Sequence, residues 1–426
     1  MFSKIVNTFG TRLLSAILNL LITIIISRFL GPEGKGEQGI IIATIAYILV
    51  FANLMGGSAI VYLVPRFPTR VIIAPAYIWS VFSSVLFFFI LHFFKLVDAG
   101  MIIHICALSA ISAFTAINSS VLIGREKITA SNFISFLQPL IITLSLVIFF
   151  PVFKQNNIYS YVISLYISFG TTFIASLLLL RKFGEKFSFT PIKNYSIIIT
   201  YLFRYGLLNQ LAHIFQLLSF RMSYYWIEQT YSSAEVGIYS NGTSLVESIW
   251  LISRSISLVQ YAHIANTTDR IYSQKITLQL TYASLVISFL GLLVLTLLPP
   301  GVFSFIFGKG FNEISTVIRT LAPGVLFFNV ALIIGHYFSG TGKYQVNTIA
   351  SFAGLVVAIA AFNLLIPSYG IAGAGWGTSI SYLVTTLIVI WFFVKESSVG
   401  MKESLPKPGE IRQLLKTLKF SGSSKK

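Results

Sequence analysis

The chain has 426 residues, of which 55% are hydrophobic and only 10% charged, whereas soluble domains average roughly 25% charged residues. Its one cysteine, Cys106, lies inside an apolar run, which excludes a disulfide framework and a thiolate metal site; no catalytic metal and no cofactor are expected. A net charge of +17 would suit nucleic acid in a soluble protein, but here the basic residues sit in short segments between apolar runs and near the C-terminus, where membrane topology accounts for them.

A membrane span needs about twenty mainly apolar residues. Cutting the sequence at charged and Gly/Pro-rich punctuation predicts an all-α integral membrane protein of about twelve spans. The first six cover about 11–30, 38–64, 71–94, 101–123, 131–152 and 158–180. The second six cover about 197–220, 233–254, 277–298, 315–338, 345–366 and 371–394. Met1 to Gly10 carries Lys4 without a small-residue cleavage pattern and runs straight into the first span, which reads as a retained helix. An even count puts both termini on one side. With that side cytoplasmic, only Arg28, Lys35, Lys95, Lys154, Arg221 and Lys309 fall outside and Arg319 falls within a span, so the positive-inside rule selects cytoplasmic termini. The expected organisation is a six-helix bundle over 1–185, a basic linker over 186–196, a second six-helix bundle over 197–394 and a basic tail over 395–426. In the tail, Ile411, Leu414, Leu415 and Leu418 recur at helical spacing beside Lys416 and Lys419. That segment suits either a helix on membrane lipids of the inner leaflet or a disordered basic tail that only fixes topology.

The halves echo each other. Glu37-Gln38-Gly39-Ile40 follows the first span and Glu235-Val236-Gly237-Ile238 follows the seventh. Gly124-Arg125-Glu126-Lys127, with Asn132 and Ile134, follows the fourth span, and Gly340-Thr341-Gly342-Lys343, with Asn347 and Ile349, follows the tenth. Six spans per repeat is an even number, so the two bundles insert with the same orientation and are related by an axis along the membrane normal.

Ser27-Arg28-Phe29-Leu30-Gly31-Pro32-Glu33-Gly34-Lys35-Gly36-Glu37 resembles the corresponding segment of the polysaccharide exporters, Wzx-type O-antigen flippases and relatives, of the multidrug/oligosaccharidyl-lipid/polysaccharide superfamily. The likeness extends to the Gly124 loop, the Glu235 to Ile238 turn and Tyr369-Gly370-Ile371-Ala372-Gly373-Ala374-Gly375, and so covers about residues 1–395. One departure is Pro65, whose counterpart 198 residues on is His263. The resemblance implies a MATE-like pair of bundles in the bacterial cytoplasmic membrane. It also implies transport of an undecaprenyl-diphosphate-linked oligosaccharide to the outer leaflet by alternating access, coupled to a H+ or Na+ gradient.

A sugar-diphosphate head crossing hydrocarbon needs a wet, hydrogen-bonding path with cations for the phosphates. In helix 1, Arg12, Ser15, Asn19, Thr23 and Ser27 share a face that Arg28 extends. Helix 7 places Asn209, His213 and Gln216 on one face between Arg204 and Arg221; helix 8 places Ser240, Ser244, Glu247 and Arg254 on another, and Asn53 of helix 2 would join them. Arginine suits phosphate because its planar fork makes bidentate contacts. The candidate substrate cavity is therefore Arg12, Asn19, Arg28, Asn53, Arg204, Asn209, Gln216 and Arg254, with Glu247 and His213 as candidate ion-coupling groups. Each has a plainer role open to it. Arg12, Arg204 and Arg254 could snorkel to the interface, Arg28 could cap the carbonyls ending helix 1, Glu247 could hold a neighbouring helix, and His213 could simply be packed. A small-molecule exporter of the same architecture and a membrane-embedded polymerase or ligase are the competing functions; the second would need a larger extracytoplasmic loop than the dozen or so residues at 221–232 and 299–314.

Overall fold

The computed structural model describes residues 2–184, 195–265 and 269–397. Among these there is no strand. The elements are α1 (Phe2–Ala52), a 3-10 turn (Asn53–Met55), α2 (Gly57–Leu63), α3 (Thr69–Phe94), α4 (Ala99–Gly124), α5 (Ile128–Val147) with a π-turn, α6 (Ile158–Lys182), α7 (Tyr195–Thr230), α8 (Ser233–Glu247), α9 (Trp250–Ala265), α10 (Arg270–Leu297), α11 (Pro300–Phe307), α12 (Ile314–Gly340) and α13 (Tyr344–Glu396). The predicted amphipathic segment at 411–418 and most of the 186–196 linker lie outside the described residues.

Helix starts fall where short polar side chains can hold the first free amides. Asp98, Asn157, Ser232 and Asp269 cap α4, α6, α8 and α10 through their side chains. Arg181 and Lys182 close α6 at its negative dipole end.

Eight described helices are long and apolar enough to cross a membrane, and the segments Gly10–Leu63 and Tyr344–Glu396 reach 54 and 53 residues. A straight helix of that length would measure about 80 Å, against ~30 Å of hydrocarbon. Both are broken by a glycine with a backbone that L side chains avoid: Gly31 at φ 70° and Gly370 at φ 55°. The second break reverses the chain, since the Ser381 hydroxyl donates to the carbonyl of Gly354 at 2.8 Å and Gly373 packs against the backbone of Leu365. This is a polytopic helical membrane protein, and the two glycines mark turns between spans.

Three expected spans are drawn differently. The second is interrupted at the 3-10 turn and Gly56-Gly57, where Gly57 has φ 48°. The seventh runs to Thr230 rather than 220, because Arg221, read as a helix-ending charge, is neutralised inside the protein by Glu247. The eighth breaks after Glu247 and resumes as α9 through Ala265, past the expected stop at 254. The single polar face drawn through Ser240, Ser244, Glu247 and Arg254 is therefore split between two helices. The short α11 was not anticipated.

Apolar packing falls into three clusters. Two involve mainly α1 to α6, one of them taking Ile198 and Leu202 from α7. The largest joins α7 to α13 around Trp250, Phe328, Phe338 and Tyr382 and takes Ile40, Ala43 and Tyr47 from the second part of α1. The α1 segment before Gly31 is loosely held by comparison, with Leu13, Leu14, Ile17, Leu20 and Leu21 all exposed.

A Cβ added at Gly373 would lie 2.1 Å from the Leu365 carbonyl oxygen, whereas one at Gly301 meets nothing within 4 Å. Gly373→Ala is expected to cost about 1–3 kcal/mol and to lower the thermal unfolding midpoint in detergent, with Gly301→Ala unchanged beside it.

Candidate functional site

The part of α1 after Gly31 lies against α8, and at the Gly31 end of the molecule the approach is backbone to backbone. A Cβ on Gly36 would fall 1.7 Å from the carbonyl oxygen of Ser233, and one on Gly237 would fall 2.0 Å from that of Pro32. The repeated Glu-x-Gly-Ile segments thus face each other across one seam, and only glycine lets the helices approach this closely. Hydrogen bonds continue it inward: Asn241 donates to the Ser27 hydroxyl at 2.8 Å, and the Thr44 and Tyr225 hydroxyls share a bond of 2.7 Å. Toward the other end α7 crosses to the α2 and α3 side. A Cβ on Gly206 would meet the Leu54 carbonyl oxygen at 1.7 Å, and Tyr201 and Phe203 lie against Phe67 and Trp79. In this conformation the seam is closed at both levels.

Between them sits an ion pair. Arg221 of α7 donates to both carboxylate oxygens of Glu247 of α8, at 3.0 and 2.7 Å. Glu247 closes α8, roughly 20 Å from its start, with its side chain 13% exposed, and an unanswered charge buried there would be costly. The pair is boxed by aromatic rings. The guanidinium lies 5.6 Å from the Tyr224 ring centroid, Tyr382 packs on Phe220, Trp250 and Phe328, and Tyr47 of α1 stacks on Tyr225.

A second basic side chain lies across the seam. Lys35, 4% exposed, has its ammonium 2.5 Å from the Gln38 side-chain oxygen, and Gln38 in turn donates to Tyr161 of α6 at 3.3 Å. Among the described residues no carboxylate pairs with it, and the charge that acts on it is Arg221.

The sequence candidates separate into groups. Glu247 is in the seam, fixed by Arg221. Arg28 is exposed and donates to the carbonyls of Phe305 and Ile306 at 2.5 and 2.9 Å, tying α1 to the end of α11 rather than capping its own helix. Gln216 borders a narrow crevice with Ser219, Phe220, Phe328, Ser351 and Thr385, one helical turn from His213, which lies within electrostatic reach of Arg254 and His336. Arg254 is exposed and sits 5.7 Å over the Trp250 ring. Arg12, Asn19 and Arg204 are exposed and Asn53 half-buried in the 3-10 turn; the Asn209 side chain lies outside the described residues. The structure thus gathers Glu247 with two residues not chosen as candidates, Arg221 and Lys35, both assigned from sequence to the outer ends of spans. The signal that could have found them is arithmetic: Glu247 is the one acid deep in a span, so a cation one helix away was due. No group of three or more metal-ligating side chains exists among the described residues.

No family model matches the sequence. A capsular polysaccharide biosynthesis protein, CapF, of Staphylococcus aureus is 25% identical over 170 residues, which span 39% of this chain and 43% of that protein. Among solved structures, the lipid II flippase MurJ in an inward closed conformation superposes with a TM-score of 0.74 at 15% identity, covering 100% of this chain and 94% of its own. This chain has the fold of the MurJ and MATE transporters. An inward-facing multidrug resistance MATE family transporter of the MOP superfamily matches with a TM-score of 0.67 at 16% identity over 90% of this chain and 96% of its own. A MATE transporter of Vibrio cholerae, VcmN, gives 0.59 at 14% identity over 92% and 97%.

Gly36→Ala and Gly237→Ala should each hold the seam apart at the Gly31 end. Cysteines placed at Glu33 and Ser233 would then cross-link less and react faster with a water-soluble maleimide than in the parent, and unchanged rates would show that the contact does not set the closed state. For the ion pair, Arg221→Gln alone should destabilise by about 3–5 kcal/mol, since it strands a buried carboxylate, and the double Arg221→Gln/Glu247→Gln by clearly less. Thermal unfolding of the purified variants in detergent reads both.

Proposed function

We propose that this chain is a flippase that moves an undecaprenyl-diphosphate-linked oligosaccharide, a polysaccharide or O-antigen repeat unit, from the inner to the outer leaflet of the bacterial cytoplasmic membrane by alternating access. The observation that carries this is the buried bidentate pair of Arg221 with Glu247, with the buried basic side chain of Lys35 across the seam, between the halves of a MurJ- and MATE-like fold. An arginine fork in that position fits an anionic head group. The match to a capsular polysaccharide biosynthesis protein and the likeness to a lipid II flippase support a lipid-linked sugar as cargo. The short connections at the Gly31 end leave little room for a polymerase or ligase site, so the reading is a transporter rather than an enzyme.

In this reading the chain crosses the membrane twelve times with both termini cytoplasmic, as two parallel-related bundles over 1–185 and 197–394, and the Gly31 end faces outward. Arg12, Asn19, Asn53, Arg204, Asn209, Gln216 and Arg254 line the route from the cytoplasmic side, Arg28 works at the outer end, and Glu247 with His213 couples transport to H+ or Na+. Glu247 is also what favours the second reading, a MATE-like exporter of small molecules, because an acid in the seam could receive an organic cation.

Deletion of the gene is expected to leave lipid-linked repeat units on the inner leaflet and to abolish surface display of the polysaccharide, scored by extraction of the lipid-linked sugar and by surface labelling. Normal display would remove the flippase reading. In proteoliposomes, Glu247→Gln should lose the response of transport to an imposed ion gradient while Arg28→Gln, whose bonds are to α11 carbonyls, keeps it.

A further inference from the structure

At the Gly31 end the seam is crossed by a second element besides α8. The connection 298–313 between α10 and α12 carries α11, and the end of that helix reaches the end of the first α1 segment. In the two-bundle reading the matching connection of the first half joins α3 to α4 with residues 95–98 only, so linking the two spans does not by itself call for a helix. The element is rooted in the second half: Phe303, Phe307 and Phe311 are at most 1% exposed and belong to the large cluster of α7 to α13. Its hold on the first half is of another kind. The amide of Gly308 ends the helix on the carbonyl of Ser304, so the next two carbonyls, of Phe305 and Ile306, lie past the helix's own ladder at its negative end. Arg28 of α1 donates to both, through Nη2 at 2.5 Å and Nε at 2.9 Å. The turn after α11 then follows the α1 break closely: a Cβ on Gly308 would lie 3.7 Å from the Arg28 Cα, and one on Gly310 would lie 2.9 Å from Pro32 Cγ.

We propose that α11 is a strap across the Gly31 end of the seam and that Arg28 is its latch: while the guanidinium holds the two carbonyls the halves stay together at that end, and opening there requires it to let go. The planar fork serves two adjacent carbonyls at once, so the bond is directional as well as charge-assisted. Arg28 is exposed, so water takes over its donors and the two carbonyls when the strap lifts, and release strands no buried charge. Parting Arg221 from Glu247, whose side chains are 23% and 13% exposed, would strand one. The three phenylalanines seat the strap in the second half, so when the halves part it goes with that half, and the Arg28 bonds are what break. The glycine contacts at Gly36 and Gly237 give the closed seam its fit, and the latch gives it a bias. This holds for whichever cargo the chain moves, and it leaves the Arg221 and Glu247 pair untouched.

Electron-spin distance measurements on the full-length protein in nanodiscs test this. Labels are carried on ketone-bearing amino acids, which leave cysteine chemistry free, at two exposed pairs: Glu33 with Gln229 across the seam, and Lys154 with Lys309 between the first half and the strap. Arg28→Met, which keeps the stem and removes every donor, should raise the ratio of long to short distances about tenfold at both pairs. Arg28→Lys, which keeps the charge but not the fork, should raise it by about threefold. In Arg28→Cys/Gly308→Cys the two positions are near enough for a disulfide. Its oxidised form should give short distances only and its reduced form should match Arg28→Met. Both forms share the altered backbone at Gly308, so their difference reports the latch alone and guards against a misfolded single variant. Unaltered distances in Arg28→Met, a strap that separates while the seam pair stays short, or equal distances in the oxidised and reduced forms would overturn the proposal. So would a lowered thermal midpoint beside unaltered distances, which would make Arg28 a packing residue. None of these readouts uses cargo, so their failure leaves the flippase reading standing, and normal surface display in the deletion strain removes that reading without touching the latch.

Discussion

A charge at the depth of hydrocarbon has to be answered inside the protein, and this requirement organises the middle of the molecule. Glu247 could not be tolerated on a single lipid-facing helix. It is tolerated because α7 runs far enough past its expected end to bring Arg221 alongside, and because Tyr224, Tyr239 and Tyr382 exclude lipid from the pair. The aromatic box in turn fixes how α7, α8 and α13 pack, since Phe220, Trp250, Phe328 and Tyr382 are mutually in contact. The two helices that carry the pair are also the two that meet α1 across the seam, so the charge and the seam share one support.

Much of the architecture was legible because hydropathy and turn chemistry are local. The positions of α3, α4, α5 and α6 follow from apolar length between charged or Gly/Pro-containing segments, and Gly31-Pro32 and Tyr369-Gly370 mark two further turns. The site was less legible because its geometry depends on partners far apart in sequence. Arg221 and Lys35 look like boundary charges when each span is read alone, and only the crossing of α7 over α8 and the tight α1 turn bring them inward. Glu247 could be found without that knowledge, since its cost is visible in one helix. The faces drawn by helical periodicity failed where the helix itself failed: the break after Glu247 separates it from Arg254, and the 3-10 turn at Asn53 rotates that side chain out of the α1 register. Arg28 has partners that no local pattern shows: its guanidinium donates to carbonyls of α11, 277 and 278 residues away in sequence.

The two halves are joined by two kinds of contact whose physics differs. At Gly36 with Ser233, Gly237 with Pro32 and Gly206 with Leu54, the contact is close van der Waals approach of backbones. Each atom pair there contributes on the order of 0.1–0.2 kcal/mol, so the contact is the sum of many weak terms rather than one strong one.

The charged cluster behaves in the opposite way. Arg221, Glu247 and Lys35 gain or lose a great deal with each partner because the local dielectric is low, so they are poor material for a hinge and good material for a lock. Placing the lock on α7 and α8 and the hinge in the glycines of the same helices means that any ligand able to replace Glu247 on Arg221 also acts on the surfaces that separate.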